Sequence, residues 1–284
     1  MIPAEFDYVR ARSVGDAVEA LARHGDDAEL LAGGHSLLPL MKLRLAVPEV
    51  VVDLGRVEEL KGVRDNGSHL VIGATTPHAD VLSDPRVREH CGLLAAATAR
   101  VGDPQVRHRG TIGGSLAHGD PASDLPAVAV ALGAELVAQG PAGRRTIAAS
   151  DFFVDYLETA LGDDEVLVEV RVPKHDGWGH HYEKFTRAAQ GWAIVGVAAL
   201  VRREDGAIAE ARVGLTHMAS VPRRAEATEH ALAGAAVDED AVAAAAAHAA
   251  EGTNPPDDIN ADPEYRRHLA RVLTRRAVLA AAGA

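Results

Sequence analysis

The stretch LLAGGHSLLPLMKLRL, residues 30–45, decides the reading of this chain. Two adjacent glycines, Gly33 and Gly34, interrupt an otherwise apolar run, where each adds to the entropy lost on folding. Glycine belongs at such a place when the backbone turns sharply or when something approaches it closely. A second doublet, TIGGS at 111–115, repeats the chemistry: β-branched residues lead into two glycines and a serine. Successive small residues let neighbouring N–H groups point into one concavity, an anion nest suited to phosphate. Either doublet alone reads as a tight turn. Together they point to two jaws on one pyrophosphate, and so to a dinucleotide. Neither fits G-x-G-x-x-G, and no G-x-x-x-x-G-K-[ST] run occurs, so Rossmann and P-loop readings lose support.

Working outward, SVGDAVEALARHG (13–25) predicts a helix with Ser13 as N-cap, Asp16 at the capping-box position and Gly25 as its stop. Ala17, Leu21 and His24 share one face of it. AELLAGG predicts a short buried strand running into the first doublet, and SLLPLMKLRL a helix or irregular turn after it. PEVVVDL (48–54) and HLVIGATT (69–76) read as strands, with Asn66–Gly67 as a hairpin turn between them. Residues 84–102 are helical by periodicity, with Val87, Leu93, Leu94 and Ala97 inward. AVAVAL continues a helix, AELVAQ (134–139) is a strand, DFFVDYLETAL (151–161) is amphipathic, and DEVLVEVRVP (164–173) closes at a proline. Beyond it the pattern shifts to a smaller antiparallel sheet and three helices. The last helix is capped by Asp262 and Pro263, with Tyr265, Leu269, Val272 and Arg276 at helical spacing.

The 284 residues, 47% hydrophobic, suffice for more than one core. A net charge of −12 opposes a nucleic-acid footprint. Cys91 is the only cysteine, which excludes an intrachain disulfide and a cysteine-ligated cluster. MIPAEFDYVRARS lacks the order of a secretory signal, and no apolar run approaches the ~18 residues of a membrane span. A cytoplasmic protein without a transmembrane segment is expected.

Other constellations are weaker. His118, Asp120 and Asp124 lie close together but match no metal-ligand spacing, so loop capping and ligand hydrogen bonding are expected of them. Ser36 and Ser115 sit outside G-x-S-x-G, which opposes triad chemistry. RHRG (107–110) either steers phosphate or forms a solvated loop. Trp192 either stacks on a planar ring or packs in the core.

AGGHSLLPLMKLRL and VRHRGTIGGSLAHGDPASDLPAV resemble the signatures of the FAD-binding medium subunit of molybdenum hydroxylases, the aerobic carbon monoxide dehydrogenase and xanthine dehydrogenase family. The resemblance runs from FDYVRARSVGDAVEAL through DFFVDYLETALGDDEVLVEVRVP to INADPEYRRHLARVLTRRA, essentially the whole chain. It implies an α+β protein with a two-subdomain FAD-binding fold of the vanillyl-alcohol oxidase/PCMH type over 1–175, divided near 55. A C-terminal domain of small antiparallel sheet and helices, 176–284, closes over the flavin.

The resemblance also implies a site. Ala32, Gly33, Gly34, His35 and Ser36 would hold the pyrophosphate from one side, with Leu31 and Leu37 flanking them in the cofactor site. Thr111, Ile112, Gly113, Gly114 and Ser115 would hold it from the other, Asp124 would hydrogen-bond the cofactor, and Val101 and Ser123 would also line the site. Leu167 and Lys184 would lie near the isoalloxazine, and Trp192 where relatives often carry a tyrosine. Ser115 replaces a common asparagine. No histidine or cysteine is placed for a covalent link, so the FAD is expected to be non-covalent, with no catalytic acid–base group and no metal on this chain. Molybdopterin and [2Fe–2S] clusters are expected on a large and a small partner subunit, in a dimer of heterotrimers. The FAD would take electrons from the [2Fe–2S] subunit and pass them to an external acceptor. The alternative is a stand-alone FAD oxidoreductase acting on a small molecule.

Overall fold

The computed structural model of the chain describes residues 2–284. Asp7–Arg10, Ala28–Leu31 and Val50–Asp53 form a parallel three-stranded sheet with Val50–Asp53 in the middle. Parallel neighbours need crossovers, and the helices Val14–His24 and Leu37–Leu43 supply them. Ser13 caps the first by accepting from the Asp16 N–H, and Gly25 ends it at φ 54°. Its Val14, Ala17 and Leu21 pack with Val50 and Val52. The strand Ala28–Leu31 departs from expectation. It is half-exposed, because it lies at the sheet edge and borders a cavity.

A five-stranded antiparallel sheet follows, in the order Val63–Asp65, His69–Gly73, Val166–Pro173, Glu135–Gly140, Gly143–Ala148. The turn at Asn66–Gly67 is present, with Gly67 at φ 94°, but it joins Val63–Asp65 to His69–Gly73, whereas the expected partner Val50–Asp53 belongs to the parallel sheet. Val166 and Val168 face the N-terminal core, whereas Leu167, Val170 and Val172 face the helices on the other side. A register shift between Leu167 and Glu169 permits this change of phase. The helical run 84–102 breaks at Cys91 into Pro85–His90 and Gly92–Thr98, and Val87, Leu93, Leu94 and Ala97 do point inward. The amphipathic run 151–161 is not one element. Ala149–Phe152 makes a single helical turn, and Phe153–Asp155 pairs with Glu158–Thr159 as a hairpin.

The C-terminal sheet is ordered Gly179–Phe185, Val195–Glu204, Ala207–Thr216, Arg223–Arg224. Val195, Val197, Ala199 and Val201 meet Leu269, Leu273, Ala277 and Val278 of the helix Pro263–Ala282. Tyr182, Ala198 and Leu200, on the other face, join the core of the five-stranded sheet. A Cβ at Gly214 would fall 2.4 Å from the Ala127 carbonyl oxygen, so the helix Asp124–Leu132 lies directly on this sheet. On the last helix the apolar stripe is rotated from expectation. Tyr265 and Arg276 face outward, and the buried line runs through Arg266, Leu269, Leu273 and Ala277. Arg266 is charged yet fully buried, so apolar spacing alone does not mark its face. No helix among the described residues is long and apolar enough to cross a membrane.

Candidate cofactor site

A cavity of about 770 Å³ opens where the three larger sheets approach one another, within the size range of small-molecule and cofactor sites. Every residue implied by the resemblance lines it except Ile112. Ile112 is a core residue: it follows the N-cap Thr111, and its side chain packs inward with Leu116 and Leu125.

The two glycine doublets meet here but differ in kind. Gly34 makes the turn, at φ 75°. Gly33 permits a close approach, since a Cβ there would fall 2.2 Å from the Arg109 carbonyl oxygen. Among the described residues, no carbonyl or side chain accepts from the N–H groups of Gly33, Gly34, His35, Ser36 or Leu37. This first doublet is therefore a nest of free donors. The second is not. Ile112 and Gly113 donate to the Thr76 and Ala74 carbonyls, Gly114 to the Thr111 hydroxyl and Ser115 to the Thr111 carbonyl. TIGGS is a capped helix turn whose glycines allow contact. A Cβ at Gly113 would fall 2.5 Å from the Ala74 Cβ, and one at Gly114 2.8 Å from Thr111 Oγ1. Its serine contributes differently, with Ser115 Oγ 2.9 Å from Ser123 Oγ.

One wall of the cavity carries a buried ion pair. Lys184 Nζ lies 2.8 Å from Asp124 Oδ2 and donates also to the Arg100 carbonyl at 3.1 Å. The Tyr182 hydroxyl donates to Asp124 Oδ1 at 2.6 Å. Burial pushes the Asp124 carboxyl upward, against the pull of Lys184 and Tyr182. Burial and the neighbouring carboxylate push the Tyr182 phenol well above its ordinary value. Both Asp124 oxygens are thus already engaged. Of the suggested trio, Asp120 caps its own turn by accepting from Ala122 N at 2.8 Å, so loop capping is its role.

Trp192 is 60% exposed at the cavity rim, so core packing is excluded for it. Thr75, His78, Leu161, Glu165 and Gln190 also line the cavity and escaped the sequence reading. Glu165 is held by Arg145 at 2.6 Å and 2.7 Å, and this guanidinium depresses its carboxyl. His78 is buried with no partner for Nδ1 among the described residues, and burial lowers it to about 4. Only ALGDDE, next to a strand, offered a local hint of Leu161 and Glu165. Burial also raises the Cys91 thiol to about 12, away from any role as a nucleophile. The arrangement suits a dinucleotide: free N–H groups for a pyrophosphate, small residues that leave room, and a buried cation on one wall.

Comparison with known proteins agrees. A family profile described as the FAD binding domain in molybdopterin dehydrogenase matches residues 4–175, and one described as the CO dehydrogenase flavoprotein C-terminal domain matches residues 180–281. The chain is 45% identical to a carbon monoxide dehydrogenase medium chain from Hydrogenophaga pseudoflava, covering 99% of this chain and 98% of that one. It is 42% identical to the medium chain from Afipia carboxidovorans, covering 98% and 97%. Among solved structures, carbon monoxide dehydrogenase from Hydrogenophaga pseudoflava lacking the Mo-pyranopterin moiety superposes with a TM-score of 0.96. That match has 47% identity and covers 99% of this chain and 98% of the other. On this fold, cavity and similarity, the chain belongs to the FAD-binding medium-subunit family of the carbon monoxide dehydrogenase and xanthine dehydrogenase type of oxidoreductase.

Proposed function

We propose that this chain is the FAD-carrying electron-transfer subunit of a heterotrimeric molybdenum hydroxylase. It takes electrons from a small [2Fe–2S] subunit and passes them to an external acceptor. A large molybdopterin subunit performs the substrate chemistry, and two heterotrimers pair in the cytoplasm. The observation that carries this reading is the nest of free N–H groups at Gly33–Leu37 facing the same cavity as the Lys184–Asp124 pair.

Non-covalent FAD, when bound, supplies the redox chemistry. The chain's own residues bind and orient it. The Gly33–Leu37 N–H groups would hold the pyrophosphate, and the close packing at Gly113 and Gly114 keeps the opposite side free of bulk. Leu167 and Trp192 would border the isoalloxazine, and Lys184 would present a positive charge held in place by Asp124 and the Arg100 carbonyl. Ser115 and Ser123 would offer hydroxyls. The division into 1–175 and 176–284 then sets the glycine segments on one domain and Lys184 and Trp192 on the other.

A stand-alone oxidoreductase would need a substrate-facing acid or base, and no observation favours that reading, because Asp124 and Lys184 are committed to each other. The test is to purify the chain with its partners, release the cofactor with acid and identify it by mass. FAD near one per chain is expected, bleached by the complex's substrate when no acceptor is present. Recovery of another nucleotide, or of no flavin, would sink the proposal. Bleaching by a small molecule without any partner chain would overturn the electron-transfer role.

A further inference from the structure

The strand Ala207–Thr216 ends against the cavity wall, where Thr216 Oγ1 lies 3.5 Å from the Tyr182 hydroxyl. The next residue, His217, has a left-handed backbone, φ 62°. That conformation is unfavourable for a non-glycine residue, so the surrounding bonds must hold it there. The His217 N–H donates to the Pro121 carbonyl at 2.9 Å. Its Nδ1 lies 2.8 Å from the Ala193 carbonyl oxygen, which fixes the ring proton on Nδ1, because a carbonyl only accepts. Arg266 Nη1, 3.1 Å from that nitrogen, then has no lone pair to meet there and donates instead to the Ile194 carbonyl. Arg266 is itself fully buried, and its Nη2 pairs with Asp258 at 2.7 Å.

These contacts join two separate parts of the cavity rim. Pro121 lies in the turn closed by the Ser123 N–H to the Asp120 carbonyl, and that turn delivers Ser123 to the cavity. Ala193 and Ile194 follow Trp192 directly, and the Ile194 N–H donates to the Phe185 carbonyl at 2.9 Å, closing the base of the 186–193 loop. Arg266 Nη2 meets Asp258 as an ion pair without hydrogen-bond geometry and its Nε has no partner among the described residues, so the bonds that fix the geometry are those of His217 and Arg266 Nη1 to the Ala193 and Ile194 carbonyls.

We propose that His217 and Arg266 are positioning residues that latch these two segments together and set where Ser123 and Trp192 stand around the flavin. The idea rests on the flavin reading above. Burial and the adjacent guanidinium hold the His217 imidazole below its ordinary range, which keeps it a neutral Nδ1–H donor.

Three variants test the latch in the complex purified with its partner chains. His217→Gly keeps the left-handed backbone and removes the side-chain donor. His217→Asn tolerates that backbone and puts an amide N–H where Nδ1 stands. Arg266→Lys keeps a cation but loses the guanidinium fork. The readouts are the rate of FAD release after dilution and the visible absorption envelope of the flavin, which a purely structural loss at a distance would leave unchanged. His217→Gly is expected to release FAD about tenfold faster, the scale of one lost hydrogen bond, and to alter the envelope, with His217→Asn restoring both. Wild-type behaviour of His217→Gly overturns the latch, and so does an asparagine variant as defective as glycine. Should the glycine variant fail to assemble, wild-type release and envelope in Arg266→Lys overturn it equally. A wild-type complex without FAD instead overturns the flavin reading itself.

Discussion

Lys184 Nζ stands 2.8 Å from Asp124 Oδ2 with both side chains almost wholly buried, so one ion pair ties a C-terminal strand to the helix after the second glycine doublet. Such a pair adds little net stability over an apolar replacement, but removing one partner leaves an uncompensated buried charge. Asp124→Asn and Lys184→Met are each expected to lose about 3–5 kcal/mol in urea unfolding. The double variant should lose clearly less than their sum, because neither charge remains. Strictly additive losses would show that the two groups are not coupled.

The two glycines of the first doublet fail differently when substituted. In Gly33→Ala the new Cβ meets backbone, the Arg109 carbonyl oxygen at 2.2 Å, so two chain segments must separate. In Gly34→Ala the strain is mostly the positive φ, roughly 1–2 kcal/mol, since the nearest atom is the mobile end of Leu38. Gly33→Ala should therefore be the less stable of the two in thermal unfolding. Gly34→Ala should fold and still lose flavin per chain, because it distorts the donors from Gly34 to Leu37. Full flavin in a folded Gly34→Ala protein would remove the nest from the binding site.

The local signals in the sequence were good where chemistry is local. Doublets, caps and β-branched runs such as VVVD and HLVIG announce themselves within a few residues, and all stand where the pattern put them. Apart from the run 151–161, which breaks locally into a helical turn and a hairpin, the main departures arise from partners far apart in sequence. Tyr182 reaches Asp124 across 58 positions, and nothing near either residue signals it. Two of the TIGGS donors, Ile112 and Gly113, meet acceptors on another strand's exit, the Thr76 and Ala74 carbonyls, which nothing in the motif signals. Charge normally marks the solvent face, whereas Arg266 faces inward, where the Ile194 carbonyl accepts from it and Asp258 pairs with it.

His78 gives a pH-dependent stability with a definite sign. Burial lowers it to about 4 from an ordinary 6.5, so the unfolded chain binds the proton first as pH falls. Its contribution is complete above the unfolded value and is lost as pH drops towards the folded one, about 2 kcal/mol by roughly pH 5. His78→Leu removes the titrating group from a site where Nδ1 has no partner among the described residues. Denaturant unfolding at neutral pH and at about pH 5 should therefore show a smaller fall for the variant than for wild type. Equal falls would place the acid sensitivity in other groups.

Trp192 separates a flavin role from a folding role cleanly, because it is 60% exposed and belongs to no core cluster. Truncating an exposed side chain usually changes stability by no more than about 0.5 kcal/mol. An aromatic stacked on a planar ring contributes about 0.5–1.5 kcal/mol beyond its buried area, which is a several-fold change in affinity. Trp192→Ala should thus leave the unfolding midpoint of the complex near wild type while weakening FAD binding several-fold in a titration. Trp192→Tyr, which keeps a flat aromatic ring at the rim, should recover most of that loss. An alanine variant that binds FAD as tightly as wild type would show that the indole only covers the cavity edge. A variant that loses stability and flavin together would instead assign Trp192 to holding the 186–193 loop.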